Sequence, residues 1–348
     1  SRAYQEIVGT EAGHDRTASL RLLGDHTVGR QGELRAAFTY VDINHRETID
    51  AGTPNDYRQR LWSGGVETIW RLAPVSRGGW LAGTRLSAGL ARDGADTPES
   101  GDKPPLGELG AWGGRVGVST VAPGGTFALH AGLGRRARFP ALRELYSGSL
   151  GKFVPNPTLR PERLTAVEGG VSAKLGGTDV QGVLFHQRLA DVIVKASTGD
   201  GRLRRENRDE MRSTGVELLT GWRVGASALT ADLTLQRVRI LDPSTPTGER
   251  RAEYEPSLLA KADWTVPLPL EVRGTVAASY VGRQWCVHPD RQEEMALGST
   301  GRLDLEAARS WGRFGATIAL DNVADTAIYD QCGLPQPGRM LRFQVRVR

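Results

Sequence analysis

The sequence predicts an all-β chain, an antiparallel up-and-down transmembrane β-barrel wall of about 14 to 16 strands, and three observations carry the prediction. Segments of about ten residues alternate apolar and polar side chains with period two, as strands with one apolar and one wetted face do. The connections between these segments alternate short and long, which describes a meander with tight turns at one end and loops at the other. No run of 18 apolar residues occurs, which excludes a transmembrane helix.

In chain order, stretches near 2–9 and 17–23 supply one or two strands, and further strands lie between the connections. Tight turns are expected at 73–78, 122–125, 176–178, 224–226, 267–269 and 310–312, and long loops at 45–59, 92–109, 136–162, 190–209, 241–253, 283–298 and 323–338. After Thr126, Phe127, Leu129, Ala131 and Leu133 oppose Ala128, His130, Gly132 and Gly134. Leu303, Leu305 and Ala307 alternate with Arg302, Asp304 and Glu306, and Phe314, Ala316, Ile318 and Leu320 with Arg313, Gly315, Thr317 and Ala319. The last strand puts Leu341, Phe343, Val345 and Val347 on one face and Arg342, Gln344, Arg346 and Arg348 on the other. A slip of one residue would carry these arginines into the apolar layer, so register is strongly set. Trp62, Trp70, Trp80, Trp222, Trp264, Tyr280 and Trp311 lie near strand ends, where a membrane barrel places its aromatic girdles.

Composition narrows the function. Of the 45 basic residues only Lys103, Lys152, Lys174, Lys195 and Lys261 are lysine, and arginine is spread along the chain instead of clustering. That distribution argues against a nucleic-acid partner. Two cysteines give no metal framework, and Cys286 with His288 is too small a donor set for a metal site. The segment GLGRRA (132–137) imitates a nucleotide-binding glycine loop but ends an alternating strand with no helix after it. No Ser/His/Asp set stands out, so no catalytic residue, metal or cofactor is expected. Residues 1–12 lack a charged-then-apolar leader, and the chain reads as a mature piece or a fragment.

The segment RARFPALRELYSGSLGKFVPNPTLRPERLTAVEGGV (136–171) resembles the signature of TonB-dependent outer-membrane receptors, with Phe139, Pro140, Leu142, Glu144, Leu145, Tyr146, Asn156, Pro157, Leu159, Pro161 and Glu162 in matching places. Three further stretches agree in order: 207–222, with Asn207, Gly215, Val216 and Glu217; YVGRQW (280–285); and 320–339, with Leu320, Asn322, Asp325, Gly338 and Arg339. The resemblance implies a plug domain inside a barrel of about 22 strands. On that reading residues 1–348 are the C-terminal portion of the barrel, and the plug and roughly the first six to eight strands are not in this chain. The family's last strand tends to end on an aromatic residue, whereas this chain stops at Arg348, leaving Phe343 as the nearest one.

The same resemblance implies energised import at the bacterial outer membrane, with no bond-breaking chemistry. Its expected partners are outer-membrane lipid and lipopolysaccharide, the TonB complex through the missing plug, and a small-molecule ligand such as a ferric siderophore. Arg60, Tyr146, Lys152, Arg204, Arg205, Trp285 and His288 are the expected ligand contacts on outer loops, since guanidinium groups pair with carboxylates and steer anions. Asn322 and Asp325 are expected to end a strand through side-chain bonds to backbone. The topology makes the loops carrying Cys286 and Cys332 neighbours in an oxidising compartment, so a disulfide between them is expected. Two alternatives stay open: a plugless passive pore, and an all-β hydrolase using Glu144 and Glu162 as paired carboxylates.

Overall fold

The computed structural model describes residues 10–49, 52–73, 79–147, 153–242, 249–288 and 293–347. Its elements run β1 (Glu11–Val28), β2 (Gly32–Ile49), β3 (Asn55–Arg71), α1 (Gly79–Gly83), β4 (Arg85–Ser100), β5 (Leu109–Val121), β6 (Phe127–Arg138), α2 (Leu142–Tyr146), β7 (Phe153–Val154), β8 (Glu162–Leu175), β9 (Thr178–Ser197), β10 (Leu203–Val224) and β11 (Ser227–Leu241). There follow β12 (Glu249–Arg250), β13 (Leu258–Leu268), β14 (Val272–Val281), β15 (Gln284–Val287), β16 (Glu294–Leu297), β17 (Thr300–Trp311), β18 (Phe314–Asp321), β19 (Tyr329–Gln331), β20 (Leu334–Pro335) and β21 (Met340–Val347). One 17-stranded sheet dominates; β7 and β12 are two-residue additions to it, and its other fifteen strands pair antiparallel with their neighbours along the chain.

One register ties the wall together. Leu22 faces Phe38, Val66 faces Leu90, Leu133 lies between Val116 and Val167, and Leu218 faces Leu233. Further round, Leu305, Leu320 and Leu341 form a row, as do Ala307, Ile318 and Phe343. All these side chains share one face, and most are exposed to an extent a water-soluble protein avoids. The apolar layer therefore faces outward, as in a wall surrounded by hydrocarbon. Buried apolar clusters occur instead at the long-loop end: Tyr57 with Leu142, Leu145, Tyr146 and Leu159; Val192 with Ile240 and Ala252; and Cys286 with Leu297 and Cys332.

Aromatic residues mark both rims of the band. Trp70, Trp222, Trp264 and Trp311 lie toward the short-turn end, with Trp80 in α1 beyond it, and Trp62, Trp112 and Tyr280 lie toward the loop end. Several connections depart from the sequence expectation. A tight turn at 29–31, with Gly29 at φ 61°, joins β1 to β2. The turn expected at 267–269 falls at 269–271, where Leu270 and Glu271 take φ 61° and 58°. The expected loop 190–209 shrinks to 198–202 because β9 and β10 continue past the apolar band, and β2 and β3 likewise consume most of 45–59. Among the described residues β1 pairs only with β2 and β21 only with β18, so the sheet keeps two free edges.

Candidate ligand vestibule

Residues 139–147 and 153–161 fold back across the loop end of the wall, and carboxylates and amides fasten them there. Arg138, at the end of β6, donates to both Glu144 and Glu162. Glu162 is buried and its other oxygen accepts from the Ile193 N–H at 2.7 Å. Glu144 also accepts from the Ala141 N–H at 2.9 Å, which starts the single turn of α2. Burial pushes the Glu144 carboxyl up, but the bonds from Arg138 and Ala141 outweigh it and hold the group below its ordinary range. The two carboxylates are thus consumed by one guanidinium and by backbone, an arrangement that positions a loop.

The asparagines of the same motifs do comparable work. Asn156 donates to the Arg205 carbonyl at 2.8 Å and accepts from the Thr158 hydroxyl at 2.7 Å. Asn207 accepts from the Arg160 N–H at 2.8 Å and donates to the Asp191 carbonyl at 2.6 Å, closing the base of the loop onto β9 and β10. Pro140 is fully buried, and its carbonyl accepts from Gln59 at 2.7 Å. Pro157 and Pro161 bracket the turn, and the partly buried Phe139 leads into it. Gly215 is required by packing: a Cβ there would lie 2.5 Å from both the Leu235 carbonyl and the Phe185 ring. Glu217, two residues on, stands in β10 on the Gly215 face.

Between this loop and the inner faces of β1, β2 and β3 lies a cavity of about 400 Å³, lined by Asp15, His45, Glu47, Tyr57, Gln59 and Arg143 among others. Tyr57 and Tyr146 stack with ring centroids 5.7 Å apart. The Tyr146 hydroxyl accepts from the Leu106 N–H at 3.0 Å and the Lys103 ammonium donates to the Tyr57 hydroxyl at 2.8 Å, so residues 101–108 are pinned to the same ledge. His45 and Asp15 are paired at 2.7 Å. The vestibule therefore offers two aromatic planes, an exposed guanidinium at Arg143 and acidic groups on the facing wall.

The expected ligand residues separate under this geometry. Tyr146 reaches the cavity. Arg60 does not: it stands in β3 on the outward face of Trp62, 3.7 Å from Asp96. Arg204 bonds Asn156 at 3.3 Å, and Arg205 lies over the Phe153 ring at 4.7 Å while donating to the Arg143 carbonyl at 3.1 Å, so both brace the loop. Trp285 is covered by the Arg251 guanidinium 3.6 Å from its ring, and the His288 N–H bonds the Glu293 carbonyl at 2.9 Å in the β15–β16 hairpin. Lys152 lies outside the described residues. Asp15, Glu47, Gln59 and Arg143 line the cavity without having been expected there; the inward face of β1 to β3, extended past the apolar band, places the first three, and Arg143 stands in α2 with no such signal.

The last loop is held by two residues in the left-handed region, Asn322 at φ 50° and Asp325 at φ 55°. The Asn322 side chain donates to the Thr326 carbonyl and accepts from the Thr326 N–H, each at 2.9 Å. Asp325 accepts from the Arg339 N–H at 2.7 Å, and a Cβ at Gly338 would sit 2.6 Å from the same carboxylate oxygen. Cys286 and Cys332 are joined as a disulfide with Cα atoms 6.2 Å apart, linking the β15–β16 and β19–β20 hairpins.

The family described as "TonB dependent receptor-like, beta-barrel" matches residues 3–323. Among solved structures, the chain is similar to the FrpB iron transporter from Neisseria meningitidis (TM-score 0.76, 16% identity, 96% of this chain and 56% of that one). It is also similar to the copper transporter OprC (TM-score 0.79, 17% identity, 97% and 57%). A third is the pyoverdine outer-membrane receptor FpvA from Pseudomonas aeruginosa PAO1, bound to pyoverdine (TM-score 0.73, 16% identity, 98% and 54%). No curated protein sequence matches. The chain thus spans a little over half the length of these structures. With the outward apolar register, the short and long ends and the loop motifs already in place, the match over most of its length means that the chain belongs to the TonB-dependent receptor β-barrel family of the bacterial outer membrane.

Proposed function

We propose that this chain is the C-terminal wall of a TonB-dependent transporter, and that its vestibule takes up a scarce chelate such as a ferric siderophore. The carrying observation is the cavity between β1–β3 and residues 141–147, where Tyr57, Tyr146 and Arg143 meet. Flat chelating groups stack on aromatic planes, and a guanidinium pairs with a chelate's carboxylate or catecholate oxygens. The plug and the remaining strands belong to the parent polypeptide in this proposal, and TonB acts through that plug. Among the described residues β1 and β21 each leave one edge without a partner strand, which supports a wall completed by further strands over a self-closed passive pore. The hydrolase reading loses its carboxylates to the Arg138 clamp.

The test is equilibrium binding of a panel of ⁵⁵Fe-siderophores and free metal ions to the parent polypeptide in detergent. One iron chelate is expected to bind, with Arg143→Ala weakening it by about tenfold, the loss of one charge-assisted contact. Absence of binding across the panel, or binding indifferent to Arg143→Ala, would overturn the assignment of the ligand to this cavity.

A further inference from the structure

A second cavity, of about 410 Å³, lies at the loop end of β9, β10 and β11. On the inner face of these strands Gln187 faces Ser213, and one step further toward the loops Met211 lies between Leu189 and Ile240. Leu189, Met211 and Ile240 are out of phase with outward Leu184, Val216 and Leu235, so they face the interior, away from the bilayer. Val192, beyond Asp191 at φ 55°, and Ala252 complete one apolar cluster with them. Beyond the membrane band the inner face meets water, and an apolar patch bordering an open volume there marks a binding surface.

Residues 251–255 and β15 form the opposite side of the cavity. The Tyr254 N–H donates to the Trp285 carbonyl at 2.8 Å, the Cys332 N–H donates to the Tyr254 hydroxyl at 3.3 Å, and Cys286 is bonded to Cys332. The connections after β11, β14 and β18 thus brace one another, and their cover stands off the strands. The polar groups around the cavity are engaged with neighbours. Arg208 lies 3.3 Å from Glu206, and the Arg251 guanidinium covers the Trp285 ring. Glu255 accepts from Gln236 at 3.2 Å, Glu253 from the Val287 N–H at 3.4 Å, and Glu162 is held in the Arg138 clamp. What the cavity offers a guest is mainly apolar contact.

We propose that this cavity takes the aliphatic chain of an acylated ligand that enters from outside. The chain lies among Leu189, Val192, Met211 and Ile240 beneath Trp285, and the ligand's polar part stays in the vestibule, on the side where exposed Lys195 and Glu294 meet water. This rests on the reading of the vestibule as a ligand site and adds the class of ligand. The volume is that of a small-molecule site, and its inward orientation keeps bilayer lipid out, so the guest arrives through the vestibule. The Arg138 clamp joins the two cavities: it holds Glu162, which lines this one, and Glu144, next to the Arg143 that lines the other.

The experiment is photolabelling of the parent polypeptide in nanodiscs by N-decanoylglycine carrying a diazirine on its chain, read by peptide mass spectrometry. Saturable labelling is expected in the peptides holding Leu189 to Lys195, Met211 and Arg251 to Glu255, suppressed by N-decanoylglycine and not by N-acetylglycine at equal concentration. Along the straight-chain series the competing affinity should rise about fourfold per methylene until the cavity is full. Val194→Trp, which fills the cavity, should lower labelling at least about tenfold, the loss of two or more buried methylenes. Leu184→Trp, on the outward face of the same strand, should leave it unchanged. Folding is checked by heat-modifiable gel mobility; if Val194→Trp fails that check, Met211→Gln, close to it in shape, should still weaken labelling severalfold. The probes carry no iron, so a failure of every ferric chelate to bind would count against the proposed function and not against this cavity. Labelling confined to outward-face peptides, equal competition by N-acetylglycine, or undiminished labelling of the folded variants would overturn the proposal.

Discussion

Substituting arginine at two consecutive positions of β8 tests which face of the wall meets hydrocarbon. Val171 lies between Leu129 of β6 and Gly182 of β9, on the outward row, and is 43% exposed. Ser172 lies between Ala128 and Gln181 on the inner face. The outward positions of β8 from Val167 to Leu175 span about 27 Å along the strand, or roughly 20 Å across the membrane at the usual tilt, which nearly fills the apolar band. Val171 is at their midpoint, so Val171→Arg places a guanidinium near the midplane and should cost about 2–4 kcal/mol of folding stability in a bilayer. Ser172→Arg enters a polar interior and should cost less than about 1 kcal/mol. The assay is reversible urea unfolding of the parent polypeptide in phosphatidylcholine vesicles, followed by tryptophan emission. Equal costs, or a larger cost at Ser172, would refute the outward assignment of the apolar rows.

Three further outcomes follow from the loops. Reducing Cys286–Cys332, or replacing both cysteines with serine, opens a 46-residue closure and should lower stability against full unfolding by up to about 4 kcal/mol in the chain-entropy account; faster proteolysis of the β15–β16 and β19–β20 hairpins would report it. Because the Glu144 carboxyl is held below its ordinary value, its contribution is present above the unfolded carboxylate pKa and is lost as pH falls through the lowered one; hydrogen exchange in 139–147 should therefore rise on acidification below about pH 4, and Glu144→Gln should abolish that rise. Asn322→Ala removes both bonds to Thr326 while keeping a Cβ at φ 50°, and should cost about 1–3 kcal/mol, with Asn322→Gly intermediate in the same unfolding assay.

The wall was legible wherever it crosses the apolar band, because there one face must be apolar and the other cannot be. The strands β6, β17, β18 and β21 were read nearly residue for residue. Beyond the band both faces meet water, so the period-two signal vanishes while the strand continues. The segments HRETI of β2 and LRRENRD of β10 therefore read as loop. The same cause misplaced Arg60, a polar residue in a strand that outlasts the membrane. The loop motifs were legible as motifs, and the structure supplies their reason: Glu144, Glu162, Asn156 and Asn207 tie backbone to backbone over long separations. What brings Tyr146 against Tyr57 is the folding back of one loop over strands some 90 residues earlier, a contact no local pattern encodes.

The proposal of energised uptake is best checked by ⁵⁵Fe-siderophore accumulation in cells making the parent polypeptide, with and without a functional TonB complex. Saturable accumulation is expected, lost when TonB is absent or the proton gradient is collapsed. Accumulation that rises linearly with concentration and persists without TonB would contradict it.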